Sequence, residues 1–391
     1  MISDVPLIPG LRALLEEVPG AALLDAHTHI GQNDPDGYRC SPKELVGALE
    51  AIDARAFVFP MHEPGGYPPA NDMVLAEAEA ADGRLFAFCR LDPADSPAVE
   101  ARRCLAAGAR GIKLHPRAEG FNLDHPGLEE VYALADEEGL PILCHAGRGI
   151  PALGRHAIEV CARYPGLRLI LAHAGISDLG WIWREAPAHP NLFFDTAWWS
   201  PTDLQALFSL VAPGQILLAS DAPYASPAFG ATMDLRHALQ VGLETDALRS
   251  VLGGQALRLV EREAPLDLGP PPGTGSVSRD PLLERVYSFL MVSVGQMFHG
   301  IDPQETLALA RLACDVGDNA PQAAACEAVL ALLDARETYE GGSDGRPEHF
   351  APGIHLIVLA ATLARTPDVK LPQRSGFLAE GPGSASVQGR P

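Results

Sequence analysis

Eight short apolar runs, separated by amphipathic stretches, constrain the fold of this chain more than any other feature. They are ALLDAHTHI (22–30), RAFVFPM (55–61), RLFAFCRLD (84–92), GIKLHP (111–116), PILCHAG (141–147), LRLILAHAG (167–175), NLFFDTA (191–197) and QILLASDAP (215–223). Runs of this kind suit strands buried on both faces, and the helical period between them calls for parallel strands wrapped by helices. SPKELVGALEAI, SPAVEARRCLAAG and HPGLEEVYALADEEG open on capping residues, and several helical stretches close on Gly. Eight strand–helix units in about 250 residues predict an α/β fold, a (β/α)8 barrel. A doubly wound open sheet would carry a glycine-rich phosphate loop after its first strand, where DAHTHIGQNDPDG stands instead.

The 391 residues exceed what one core usually holds. The barrel is expected over residues 1–263, and LDLGPPPGTGSVSRD marks a linker over 264–280. Helical periodicity in DPLLERVYSFLMVSVGQMF, PQETLALARLACDVG, PQAAACEAVLALLDAR and PGIHLIVLAATLA predicts an all-helical annex over 281–366. Residues 367–391 are composed like a disordered tail. The apolar surface of the annex packs on the barrel, makes a homodimer or binds a partner, the barrel then being a scaffold.

A formal net charge of -21 disfavours nucleic acid and anionic membrane surfaces as partners. The opening MISDVPLIPGLRALLEEV lacks the basic start and apolar core of a signal peptide, and no run is long enough to cross a bilayer, so a cytoplasmic location is expected. Seven scattered cysteines without a paired spacing argue against a disulfide framework and against a thiolate metal site.

Chemistry concentrates at the ends of the strands. His27 and His29 are two apart, so they share a face, with Asp25 on the same face one layer deeper. The C-terminal strand ends form the face on which barrel active sites are built. Strand five ends in His145, strand six in His173 and strand eight in Asp221, while strand four offers Lys113 and His115. Polar groups aimed into one mouth from several strands each need a partner, and one divalent cation satisfies them together. Imidazoles with a carboxylate suit Zn2+, and the absence of thiolate is compatible with Mn2+ or Fe2+. Such a cation activates water and polarises a substrate oxygen, which makes hydrolysis of an amide, ester or lactone of a small molecule the natural chemistry. Asp195, at the end of strand seven, orients a ligand or caps the next turn. Tyr38, Arg117, Arg148, Trp198, Trp199 and Tyr224 fall in the loops after the strands and are candidates for the substrate pocket; for the arginines the alternative is a surface ion pair.

DAHTHIG, GIKLHP, PILCHAG, LILAHAG and ILLASDAPY, in this order on strands one, four, five, six and eight, resemble the amidohydrolase superfamily. Within it the chain is similar to the amidohydrolase-related group that includes aminocarboxymuconate semialdehyde decarboxylase and many hydrolases. The resemblance covers about residues 20–262. It implies that His27, His29, His145 and Asp221 hold one metal, that His173 is the acid/base beside it, and that Asp221 shares the proton of the water. It also keeps a non-oxidative decarboxylase open beside the hydrolase. Binuclear members carry a carboxylated lysine on strand four that bridges two metals, and only three of the 29 basic residues here are lysines. GIKLHP followed by RAEGF resembles the mononuclear group, so one metal is expected, two if Lys113 is carboxylated. In the mononuclear case Lys113 or His115 contacts substrate, or Lys113 pairs with an acid such as Asp92.

Overall fold

Apolar runs become strands and amphipathic runs become helices in the computed structural model, which describes residues 7–150, 152–277, 279–339 and 353–372. The strands are β1 (Leu23–Ile30), β2 (Ala54–Pro60), β3 (Leu85–Arg90), β4 (Gly111–Leu114), β5 (Pro141–Cys144), β6 (Arg168–Leu171), β7 (Leu192–Asp195) and β8 (Ile216–Leu217). They pair in parallel in sequence order. The ring closes where Ala26 N–H donates to the Leu218 carbonyl (2.8 Å) and Asp221 N–H to the His27 carbonyl (2.9 Å).

Helix α1 (Ile8–Leu15) precedes the first strand. Then α2 (Pro42–Ala51), α3 (Pro68–Ala80), α4 (Pro97–Ala106), α5 (Pro116–Glu119) with α6 (Glu129–Glu138), α7 (Leu153–Arg163), α8 (Leu179–Ile182) and α9 (Pro201–Leu210) follow β1 to β7 in turn. After β8 come α10 (Pro227–Gln240), α11 (Thr245–Arg249) and α12 (Gln255–Val260). Their starts are written in the sequence: Ser41, Ser200 and Ser226 accept a backbone N–H as caps, each followed by Pro in the first turn.

The barrel interior is a core of its own, built from Leu24, Ala26, Phe57, Phe59, Phe88, Leu143, Ile170, Phe193 and Leu217 and closed at one end by Ala256, Leu259 and Val260 of α12. Phe57 and Phe88 stack at 4.6 Å. Gly111 makes room for them, because a Cβ there would lie 2.5 Å from the Phe88 ring. β8 is shorter than its apolar run because its next backbone donors leave the ladder: Leu218 N–H goes to the Val251 carbonyl (2.9 Å), Ala219 N–H to the Thr196 hydroxyl (2.8 Å) and Ser220 N–H to Asp25 (3.0 Å).

Among the described residues of 264–280 there is one short helical turn, and the segment is tied back by Leu266 N–H on the Gln255 side chain (2.9 Å). Four further helices follow among the described residues: α13 (Pro281–Phe298), α14 (Gln304–Ala313), α15 (Ala323–Glu337) and α16 (Ile354–Arg365). His355–Arg365 are buried throughout, because α16 packs between α13 and α15 on one side and α9 and α10 of the barrel on the other. Arg236 of α10, itself buried, clamps the end of α16 by donating to the Thr366 carbonyl (2.8 Å) and hydroxyl (2.9 Å) and to the Lys370 carbonyl (3.0 Å). The tail expected over 367–391 lies outside the described residues from 373 onward. None of the described helices is long and apolar enough to cross a membrane.

Candidate metal centre and active site

Inward-facing positions on the strands continue upward into the site. Phe86, Phe88 and Arg90 share a parity on β3, as do Gly111, Lys113 and His115 from β4, Leu143 and His145 from β5, Phe193 and Asp195 on β7, and Leu217, Ala219 and Asp221 from β8. On β1 the parity breaks. Leu24 and Ala26 line the interior, and a register shift between Asp25 and Thr28 then turns His27 and His29 inward. Asp25 is therefore not on the face of the two histidines, as strict alternation would have it. A bulge that re-aims side chains beside a site is a recurrent device. His173 and Asp221 leave their strands with φ of 57° and 60°, a left-handed conformation that costs on the order of 1 kcal/mol each and swings the side chains into the mouth.

Hydrogen bonds to groups that can only accept fix the imidazole tautomers. His27 Nδ1 lies 2.7 Å from Asp195 Oδ2, so it carries the proton and donates, leaving the lone pair on Nε2. His29 Nδ1 faces the Pro60 carbonyl at 3.4 Å, with the same result. His173 Nδ1 donates to the Ala197 carbonyl (2.7 Å); its Nε2 then accepts from His145 Nδ1 (2.9 Å), which leaves His145 Nε2 bare, buried and without a hydrogen-bond partner. Burial holds the pKa of His27, His29 and His145 well below the ordinary imidazole value, so all three are neutral at pH 7.

The bare Nε2 atoms of His27 and His29 each lie 3.2 Å from the same oxygen, Asp221 Oδ1. The three ligand atoms fall within 4.8 Å of one another. Acceptors crowded in this way repel unless a positive charge stands among them or a proton sits on Asp221, whose pKa burial raises well above the usual carboxylate range. Lys113 Nζ, fully buried, is 3.1 Å from His27 Nε2 and 4.4 Å from the Phe59 ring centre. Burial lowers its pKa to about 7, so at neutral pH this cation is only partly present. A divalent cation fits the donor set: two imidazole nitrogens and a carboxylate oxygen, each imidazole steered by an acceptor on its far nitrogen. Asp195 is the hub, accepting the His27 Nδ1–H on one oxygen and the N–H groups of His173 (2.8 Å) and Ala197 (3.0 Å) on the other.

The structure thus brings His27, His29, Asp221 and Lys113 together. His145 stands one step aside, paired to His173 and stacked at 3.9 Å on His115, whose Nδ1 caps α5 by accepting Ala118 N–H (3.1 Å). Lys113 does not pair with Asp92, whose carboxylate instead accepts Ala94 N–H (2.9 Å). Asp25 holds the closing strand through the Ser220 N–H and hydroxyl.

A cavity of about 1550 Å³ opens over this cluster. Arg117, Arg148, Trp198, Trp199, Tyr38 and Tyr224, named from the loops, all line it. Arg117 and Arg148 are exposed at its edge, and among the described residues neither forms an ion pair. Tyr224 donates its hydroxyl to Asp34 and sets its ring edge-on to His29 (5.7 Å). Sequence reasoning missed Arg90, a buried guanidinium in the cavity wall that binds Glu119 (2.6 Å) and lies 4.9 Å from the Tyr67 ring centre. Its signal was present, since Arg90 continues the inward series Phe86, Phe88 at the strand end.

A sequence model of the amidohydrolase family matches residues 24–262, more than half of the chain. The chain belongs to the amidohydrolase family. No curated protein matches this amidohydrolase in sequence. Among solved structures it is similar to an amidohydrolase from Burkholderia multivorans with bound HEPES, at 17% identity over 62% of this chain and 99% of that one (TM-score 0.51). Others are an amidohydrolase II, at 21% over 61% of this chain and 100% of that one (TM-score 0.49), and 2,6-dihydroxybenzoate decarboxylase from Rhizobium, at 16% over 62% and 99% (TM-score 0.47). At these identities the likeness concerns the barrel fold. Amidohydrolases are generally metal-dependent, and the His27, His29 and Asp221 group is compatible with a metal site. Helices α13 to α16 of this amidohydrolase lie outside the matched residues.

Proposed function

We propose that this amidohydrolase hydrolyses a carbonyl-type bond, an amide, ester or lactone, of a small molecule with the help of one divalent cation, Zn2+ by the chemistry of the donors. The observation that carries this reading is the meeting of His27 Nε2, His29 Nε2 and Asp221 Oδ1 at the barrel mouth. These three atoms would hold the cation, with His145, which stands beside them paired through Nδ1 to His173, as the fourth donor that the family resemblance implies. Bound there, the cation supplies Lewis acidity toward a carbonyl oxygen and brings water within reach of deprotonation near neutral pH.

The chain's own groups supply the rest. His173 exchanges a proton at Nε2, its ring fixed by the Ala197 carbonyl; burial lowers its pKa, and Asp195 offsets part of that effect. Asp221, one-fifth exposed to the cavity, shares that proton traffic. Arg90 faces the cavity as a cation and Lys113 faces the cluster as one in its protonated fraction, and both offset negative charge gained by the substrate.

The test is a panel of aryl esters, lactones and N-acyl amides assayed with metal-loaded protein, alongside carbon dioxide release from 2-hydroxyaryl and muconate-type acids. Hydrolysis lost in Asp221→Asn supports the reading. Carbon dioxide release without any ester, lactone or amide cleavage overturns it in favour of a non-oxidative decarboxylase.

A further inference from the structure

The cavity is larger than the 300 to 1,000 Å³ or so that a typical small ligand fills, and it does not end at the barrel. Its far wall is made by Gly295 and Phe298 of α13 and by Ile354 and Val358 of α16, helices outside the family match. An aromatic track joins that wall to the metal cluster: His173 to Trp198 (6.2 Å between ring centres), Trp198 to Trp199 (5.7 Å) and Trp199 to Phe298 (4.9 Å).

Gly295 is the telling residue. It sits inside an 18-residue helix, where Gly costs about 1 kcal/mol against Ala, and a Cβ there would meet nothing within 4 Å. Neither close packing nor backbone conformation demands it. What it does is leave space in the cavity wall, one helical turn from Phe298. Of the polar groups of this wall, Asp234 accepts the Thr196 hydroxyl on Oδ2 while its Oδ1 is buried without a partner, and His299 Nδ1 donates to the Gly295 carbonyl (2.7 Å). The wall is also fixed in place, since the Thr202 and Tyr287 hydroxyls bond at 2.5 Å and Arg236 clamps the end of α16.

We infer that the lobe bounded by Trp199, Gly295, Phe298, Ile354 and Val358 is a second subsite, which takes the aryl or medium-length aliphatic body of an acyl substrate whose polar head lies at the metal cluster. The annex is then part of the substrate pocket. The position of the head rests on the proposed function; the apolar body does not.

The full-length protein is titrated calorimetrically with straight-chain carboxylates from acetate to decanoate. Affinity should rise roughly fourfold per methylene over the longer members, as burial of a CH2 group requires. Gly295→Trp, which fills the lobe, should cut decanoate affinity at least tenfold and leave acetate unchanged, while Gly295→Ala retains decanoate binding and raises the melting temperature. Gly295→Met serves if the Trp variant does not fold. Treatment with a chelator separates the two readings: a chain-length slope that survives metal removal supports the subsite whatever becomes of the metal. Affinity independent of chain length in wild type, or decanoate binding unchanged in a folded Gly295→Trp or Gly295→Met protein, overturns the inference.

Discussion

Asp195→Asn tests the tautomer argument without removing any proposed ligand. Asn is isosteric, so its carbonyl oxygen can keep the two backbone N–H groups of His173 and Ala197 that now converge on Oδ1. Its amide nitrogen then faces His27 Nδ1 at 2.7 Å, donor against donor, unless the imidazole proton moves to Nε2. That move protonates the atom that meets Asp221 Oδ1 at 3.2 Å and Lys113 Nζ at 3.1 Å, and a protonated nitrogen cannot ligate a cation. Loss of one charge-assisted buried hydrogen bond costs about 1.5 to 3 kcal/mol of stability. Loss of the carboxylate behind a ligand histidine costs 10- to 100-fold in metal affinity, or about 1.4 to 2.7 kcal/mol. The assay is competition against a chelating indicator, with urea unfolding of chelator-treated protein as the check on folding. A folded Asp195→Asn protein that binds zinc within threefold of wild type would refute the reasoning.

Three further perturbations follow from the same contacts. In metal-free protein Lys113 titrates at about 7 against 10.5 in the unfolded chain, so the unfolded state binds the extra proton between those values. Stability should therefore rise with pH above 7, by up to about 1.4 kcal/mol per pH unit, and Lys113→Met should flatten that rise in urea midpoints taken at pH 7, 8 and 9. Arg236→Ala leaves the Thr366 and Lys370 carbonyls without their buried donor and should cost about 3 kcal/mol, seen as a lower denaturation midpoint; an unchanged midpoint would mean that the annex is not anchored there. Gly111→Ala drives a methyl into the Phe88 ring and should cost about 1 to 3 kcal/mol, whereas an equally stable variant would show that the interior can repack.

Much of the fold is legible because burial on both faces writes strands as apolar runs, and the inward series Gly111, Lys113, His115 and Leu217, Ala219, Asp221 can be followed from core to mouth by alternation alone. What alternation cannot supply is register between strands. The shift between Asp25 and Thr28 is visible only against β2, so alternation alone puts Asp25 on the face of the histidines, where the structure does not. Nothing in LILAHAG marks the left-handed backbone of His173, and Asp195, a candidate for orienting a ligand or capping a turn, accepts from His27 on one oxygen and from the His173 and Ala197 N–H groups on the other. Lys113 meets His27 rather than Asp92 because an inward strand position faces the barrel axis, not the neighbouring loop. The annex reads as helices, but its place over the cavity depends on contacts such as Trp199 to Phe298 that join distant parts of the chain.

The central claim is that His27, His29 and Asp221 hold a divalent cation. It is tested most directly by elemental analysis of protein purified without added metal and then loaded with zinc, for wild type, His29→Ala and Asp221→Ala. One metal per chain in wild type and less than a tenth in either folded variant is the expected result. A wild-type protein that stays metal-free after loading, or variants that bind as much as wild type, would contradict it.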